Sequence, residues 1–409
     1  MNINKTKLYE NFINIKNIAN LKILRCYKKL FSKKGISKNI GNYILLFIIT
    51  FHIISIFIFY FKQYIIIKNK INDIIYAINY SELIKQEKEK KEGENDIKDE
   101  IKKHEDIIDD NSKENKLIIS SIKKYSKKRN TIIGNENQKK YIISNVITIG
   151  KDNISEKNKE NKVFVGKGEK FITNRIKEIM EYNVVELNEL EYDLAIQYDK
   201  RTYCIYYISL IKTKHNLIFA FFNNNDYNSN IIKIDLFFIE FGVEYTINAL
   251  FYNDDLMHKI YEDKGSFDFI YQLPKTIYSS LISIVLNSIL RILALSNNAI
   301  IKFKQSKDKV EVNKRGIELE NILKIRFILF FIISFIFLLF FWYYISMFGA
   351  IYMNTQFHLL KDTLMSFSLS LIYPFIINLL PGIFRIPSLS DPKNKKIYLY
   401  NFSKIIQMI

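Results

Sequence analysis

The chain has little of what builds a small stapled domain or a catalytic centre. Its 409 residues include 2 cysteines, 5 histidines, 5 prolines, 12 glycines and 1 tryptophan. Cys26 and Cys204 lie far apart on either side of an apolar run, which excludes a disulfide framework and a cysteine-based zinc site. The histidines are scattered. No HExxH helix, GxSxG elbow or Gly-rich nucleotide loop occurs, and no His–carboxylate pair is visible in the apolar runs. Gly-Lys-Gly within Lys162–Lys170 lacks the spacing of a phosphate loop. Asp254, Asp255 and His258 fit no metal-loop spacing and read as a solvated acidic turn. The expectation is a protein that is not an enzyme, with no catalytic residue, metal or cofactor. Glycine and proline are scarce even in segments that look like linkers, while Ile, Asn, Lys, Tyr and Phe abound. That is a bias towards AT-rich codons, and it weakens arguments from lysine or asparagine frequency.

Charge is also missing from long stretches. No charged residue occurs from Phe327 to Leu360, and Thr276–Ile301 and Thr363–Phe384 carry only Arg291 between them. A helix needs roughly 20 apolar residues to cross a bilayer. Tyr43–Phe61 is a further uncharged run, with His52 near its middle in a position that asks for a hydroxyl or backbone partner. It starts far from Met1 and no small-residue cleavage site follows it, so it reads as a span rather than a signal peptide. The fold class is therefore mainly α: a polytopic membrane protein with about five transmembrane helices, multi-pass, in a membrane the sequence does not specify.

The organisation follows from these runs. Residues 1–42 form a basic arm whose one acidic residue is Glu10. The first span is 43–61. Residues 62–185 are a polar connector. Within it Lys85–Lys116 has too few apolar residues to offset its ordering entropy and reads as a partly disordered linker, with a coiled coil as the alternative. Residues 186–230 mix apolar, aromatic and charged residues. Lys212, Lys214 and His215 interrupt their apolar stretch, so they read as an amphipathic segment on the membrane face. Residues 231–385 are a four-span module of two hairpins, and 386–409 a basic tail. Trp342, Tyr343 and Tyr344 read as interfacial aromatics, and Pro374 should kink the last span.

The net charge of +18 lies largely in the arm and in loops flanking the spans, so it reads as membrane-orienting charge rather than a nucleic-acid footprint. The expected partners are the bilayer, with anionic headgroups at the basic flanks, and proteins reached through the connector; nucleic acid is not expected. Short loops rich in Lys/Arg stay in the cytosol. Lys302, Lys304, Lys307, Lys309, Lys314, Arg315, Lys324 and Arg326 put the loop Ser296–Arg326 there; Arg385, Lys393, Lys395, Lys396 and Lys404 do the same for the tail. The connector then lies on that side too. The arm, by the same rule, would also be cytosolic, which five spans forbid; the several loops of the module outweigh it. Asn153-Ile-Ser155 is a glycosylation sequon that reports on this choice.

Several stretches carry a resemblance: LEYDLAIQYDKRTYCIYYISLIKTKHNLIFAFF, NNDYNSNIIKIDLFF, NALFYNDDLMHKIYEDKGSFDFIYQLPKTIYSS, WYYISMFGAIYMNTQFHLLKDTLMSFSLSLIYPF and LPGIFRIPSL. Over about Leu187–Leu389 the chain resembles the C-terminal multi-span module of a family of uncharacterised protist membrane proteins. The resemblance implies a membrane module and brings no activity, cofactor or site residue.

The candidate site lies within the spans. Lys233, Glu240, Glu244 and Asn248 share one face of the first span of the module; Ser280, Ser283, Asn287 and Arg291 share one face of the next. A charge at the bilayer centre costs roughly 2.5–3.5 kcal/mol on insertion scales, so such residues seek partners or water. Counting rise per residue along two antiparallel helices brings Arg291 to Glu240 and Asn287 to Glu244. These stripes fit an interhelical network that fixes the hairpin, in a protein with a binding, scaffold or structural role. The alternative is a channel or transporter subunit with a Glu/Arg polar pathway.

Overall fold

The computed structural model describes residues 19–105, 164–252, 257–258, 269–306, 311–390 and 396–408. The sequon at Asn153 and the acidic pair Asp254–Asp255 lie outside them, as does 106–116 of the expected linker. Among the described residues there are helices and no strand. We label the main ones α1 (Ile40–Ile58), α2 (Tyr64–Glu105), α3 (Tyr203–Lys214), α4 (Asn230–Leu250), α5 (Phe269–Ala294), α6 (Val312–Ile351), α7 (Gln356–Ile377), α8 (Leu379–Leu389) and α9 (Ile397–Met408). The chain forms two compact units, Met1–Tyr76 with Met180–Ile409, and Ala77–Ile179.

The second unit comprises most of α2 and nearly all of a helix Phe164–Met180. Helix α2 carries straight on through Lys85–Glu105, where the sequence reads as linker, with an i,i+4 pair between Lys85 and Glu89 at 3.7 Å. Such pairs support an isolated helix by a few tenths of a kcal/mol each.

The first unit is a helical bundle. Four of its helices are long and apolar enough to cross a membrane, within Ile40–Gln86, Ile277–Ala294, Val312–Ile351 and Gln356–Leu389. Their outward faces are apolar: Phe47, Phe57, Ile284, Ile292, Ile336, Leu369 and Ile376 are all exposed. Charged groups lie inside instead. That inversion is what a lipid solvent selects, since hydrocarbon solvates Leu and Ile but not a carboxylate.

The fifth expected span is α4. It bears Lys233, Asp235, Glu240 and Glu244, too many charges for a lipid-facing helix. Its burial resolves the conflict, because α1, α5, α6 and α7 all pack against it. Phe238 packs edge-on to Phe47 and Phe51 of α1, and Phe237 and Phe241 pack on Phe367 of α7. The first hairpin, α4 with α5, packs as a pair. The second does not close on itself: α6 packs chiefly along α1, and α7 against α4.

Helices α1 and α6 run antiparallel over their whole contact. Asn39 Nδ2 donates to Ser346 O at 2.6 Å, Trp342 Nε1 to Asn42 Oδ1 at 2.8 Å, and Tyr64 OH to Glu320 Oε1 at 3.2 Å. A Cβ on Gly41 would collide with Ile345, and one on Gly349 with Asn39, so both glycines are needed for this approach. Between α1 and α2 the chain makes one π-helical turn, Phe59–Gln63, which sets Phe59 against Phe327 and Phe331.

The same contacts define two ends. Asn20 Nδ2 donates to Tyr252 O at 2.9 Å and Tyr344 OH to Asn20 O at 3.0 Å, so the arm docks where α4 and α6 finish. Tyr64, the start of α4, the finish of α5 and helix α8 lie at the other end, the connector end. The chain thus passes from arm end to connector end in α1 and then alternates through α4, α5, α6 and α7. The arm and residues 180–230 fall at opposite ends of the bundle.

Three sequence expectations change. Tyr344 is buried and Trp342 hydrogen-bonds to Asn42, so these aromatics pack inward as well as marking the end of the run. Pro374 sits inside α7, and the interruption comes one turn later at Asn378, whose Nδ2 donates back to Pro374 O at 2.7 Å. Ser296–Arg326 is mostly helix: Asn297–Lys304 is one, and α6 begins at Val312.

Candidate functional site

Helix α4 begins behind an N-cap, Ser229, whose hydroxyl accepts from Ile232 N at 3.5 Å. From there its polar residues each meet a different neighbour. Lys233, fully buried, pairs with Asp226 Oδ1 at 3.3 Å and donates to Asn223 O in the loop before the helix. Asp235, also fully buried, lies on the opposite face and meets His52 of α1: Nδ1 and Oδ2 are 2.8 Å apart. The other ring nitrogen is 3.3 Å from both Phe331 O and Ser334 Oγ of α6, and Asp235 Oδ1 has no hydrogen-bond partner among the described residues. The spans therefore do hold a His–carboxylate pair. Its two members are 183 residues apart, so no local motif announces it.

One and a half turns on, Glu240 meets Arg291 of α5. Arg291 Nε donates to Oε1 at 2.6 Å and an Nη to Oε2 at 3.2 Å. Asn216, in the short helix Asn216–Phe221, completes a triangle by accepting from Arg291 at 2.6 Å and donating to Glu240 at 3.1 Å. Glu244 accepts from Ser366 Oγ of α7. Asn248 takes a hydrogen bond from Ser279 at 2.6 Å and faces Thr363 at 3.3 Å.

The expected network residues thus divide. Glu240 and Arg291 come together. Lys233, though on the same face as Glu240, belongs to a separate cluster at the connector end. Asn287 does not hydrogen-bond to Glu244; it and Ser283 instead line a crevice of about 180 Å³ with Glu240, Glu244, Ser279, Ser280 and Ser370. Helices α5 and α7 flank this crevice and α4 forms its back. The hydroxyl of Ser283 and the carboxamide oxygen of Asn287 are buried there with no partner among the described residues. Among the described residues no group of His, Cys, Asp and Glu is placed to hold a metal as a cluster.

A second polar cluster closes the connector end. Arg385 of α8 has no exposed surface, although the sequence counts it among the tail charges. It donates to Asp199 Oδ2 through Nε at 3.1 Å and through Nη2 at 2.9 Å, and to Leu187 O at 2.7 Å. Arg201 holds the same carboxylate at 2.7 and 2.8 Å, and both guanidiniums lie over the Tyr206 ring. Burial acts to raise the Asp199 pKa, but Arg201 and then Arg385 outweigh it and keep the carboxyl below its ordinary 3.8. Nearby, Lys304 is buried against Glu186 at 2.9 Å. Residues 186–230 are therefore a collar of short helices fixed to the bundle by ion pairs. Tyr203 and Tyr207 add hydrogen bonds to the carbonyls of Leu379 and Phe375.

No protein-family profile, no curated protein and no solved structure matches this chain.

Proposed function

We propose that this chain is a multi-pass membrane protein with a non-enzymatic binding or scaffold role, and that Leu187–Leu389 belongs with the protist family it resembles. The observation that carries this reading is the hub helix α4. Its Lys233, Asp235 and Glu240 are met by Asp226, His52 and Arg291 from three different elements. Paired charges that tie helices together are a registry device. The connector end, with the collar and α9, faces the cytosol in this proposal.

The described arm residues support a lipid-facing role for the arm end. Lys22, Arg25, Lys28, Lys29, Lys33 and Lys34 are all exposed, and so are Leu21, Tyr27, Phe31 and Ile36 among them. Basic and apolar groups interleaved beside a bundle end suit anionic headgroups, here those of the leaflet opposite the cytosol. The connector is the proposed contact for protein partners.

The crevice favours a second reading, a channel or transporter subunit. Ion flux into proteoliposomes separates the two. The scaffold reading expects flux no greater than in protein-free vesicles. Flux that disappears in Glu240→Gln or Arg291→Gln protein would overturn it.

A further inference from the structure

We propose that the crevice between α5 and α7 binds a monovalent cation, with Glu244 as its charged ligand. This goes beyond the scaffold role and needs only the geometry of the bundle.

Glu240 also lines the crevice, but Arg291 neutralises it through two hydrogen bonds. Among the described residues Glu244 meets no cation; it accepts from the Ser366 hydroxyl. The crevice therefore holds one carboxyl with no counter-charge, on a helix buried by its neighbours, where an ionised carboxylate is costly unless a cation meets it.

The second observation is independent of charge. Ser283 is only 8 % exposed, and its hydroxyl has no hydrogen-bond partner among the described residues. One turn along the same helix, Asn287 Oδ1 is buried and equally unpartnered. Buried polar atoms in native proteins nearly always have partners, so two orphans in one crevice point to something that supplies them. Both present oxygen, as does Glu244. An all-oxygen set with a single negative charge suits a hard monovalent ion; divalent ions generally draw on more carboxylates. The volume of about 180 Å³ exceeds the roughly 10–15 Å³ a cavity needs to admit one water, which leaves room for an ion with part of its hydration shell.

Asn248 marks the arm-end limit of the site. Its amide is already engaged by Ser279 and Thr363 and has little capacity left for a ligand.

The test is thermal unfolding of the full chain in neutral detergent, titrated with NaCl, KCl, methylammonium chloride or N-methylglucamine chloride at constant ionic strength. A ligand that binds only the native state raises the midpoint with concentration. Sodium or potassium is expected to raise it and N-methylglucamine is not. Glu244→Gln, which keeps the Ser366 hydrogen bond within reach, should weaken the apparent affinity at least tenfold. Ser283→Ala should weaken it less, and Asn287→Asp should strengthen it by adding a second charge. A response to methylammonium alone would overturn the inorganic ion in favour of an organic ammonium. Equal shifts with all four salts, or an unchanged sodium and potassium response in both Glu244→Gln and Asn287→Asp, would overturn the site itself. The flux measurement is separate: a bundle that conducts nothing can still bind the ion, and one that conducts can fail to bind it here.

Discussion

His52 of α1 and Asp235 of α4 face each other at 2.8 Å, both at 0 % side-chain exposure. They join the first span to the module, two parts of the chain separated by the whole connector. Breaking a buried pair by removing one partner typically costs about 3–5 kcal/mol, whereas replacing both with apolar residues is often neutral. His52→Leu and Asp235→Leu should each lower the unfolding midpoint sharply, and the double variant should recover most of the loss. Additive losses would mean that the two do not act as a pair.

The same logic applies to Glu240 and Arg291, with Asn216 as a third member. Arg291→Leu or Glu240→Leu alone should reduce folded yield more than the double substitution. The effect should be smaller than at His52, because the Arg291 side chain is 30 % exposed. A double-mutant cycle on detergent-solubilised protein measures the coupling.

The Asp199 cluster predicts acid sensitivity at the connector end. A carboxyl held below its ordinary value stabilises the fold fully above the unfolded pKa, near 3.8, and loses that contribution as pH falls through the lower folded value. Wild-type stability should therefore drop below about pH 3.8. Asp199→Asn should be less stable at neutral pH, by about 3–5 kcal/mol, and flatter across the acid window. Equal acid slopes in the two proteins would remove Asp199 from the account.

Anionic lipid should stabilise the arm end. Each basic residue near a charged surface contributes about 1 kcal/mol. Adding phosphatidylserine to neutral micelles should raise the unfolding midpoint. Replacing Lys28, Lys29, Lys33 and Lys34 with glutamine should remove most of that rise. An undiminished rise would place the lipid contact elsewhere.

Much of the bundle was legible in the sequence because lipid-facing helices need uninterrupted apolar runs. The meeting of Glu240 with Arg291 was legible too, since rise per residue and an antiparallel link fix their levels. Lys233 shows the limit of reading a stripe: it shares a face with Glu240 but lies about 10 Å away along the axis, in reach of Asp226 instead. Asp235 falls outside that stripe because it stands roughly 200° around the helix from Lys233, facing α1 rather than the hairpin partner. Its pairing with His52 depends on tertiary packing, which periodicity within one helix does not encode. Arg385 reads as a tail charge because it follows an apolar run; Asp199, which buries it, lies in a segment that reads as surface. The close packing of α1 on α6 rests on Gly41 and Gly349, two glycines that carry no local signal of their role.

The central claim is that α4, despite its four charges, crosses the membrane inside the bundle. Sidedness labelling tests it most directly, using Cys26 and Cys204 as native reporters and Tyr398→Cys, an exposed position on α9, as a third. Each is tested as the sole cysteine, with a membrane-impermeant maleimide on sealed and on opened vesicles. With α4 as a span, four crossings separate Cys204 from position 398, so these two label from the same side and Cys26 from the other. If Cys204 and position 398 label from opposite sides, an odd number of crossings lies between them. In that case α4 does not span, and the buried hub with its paired charges is not how this bundle sits in a membrane.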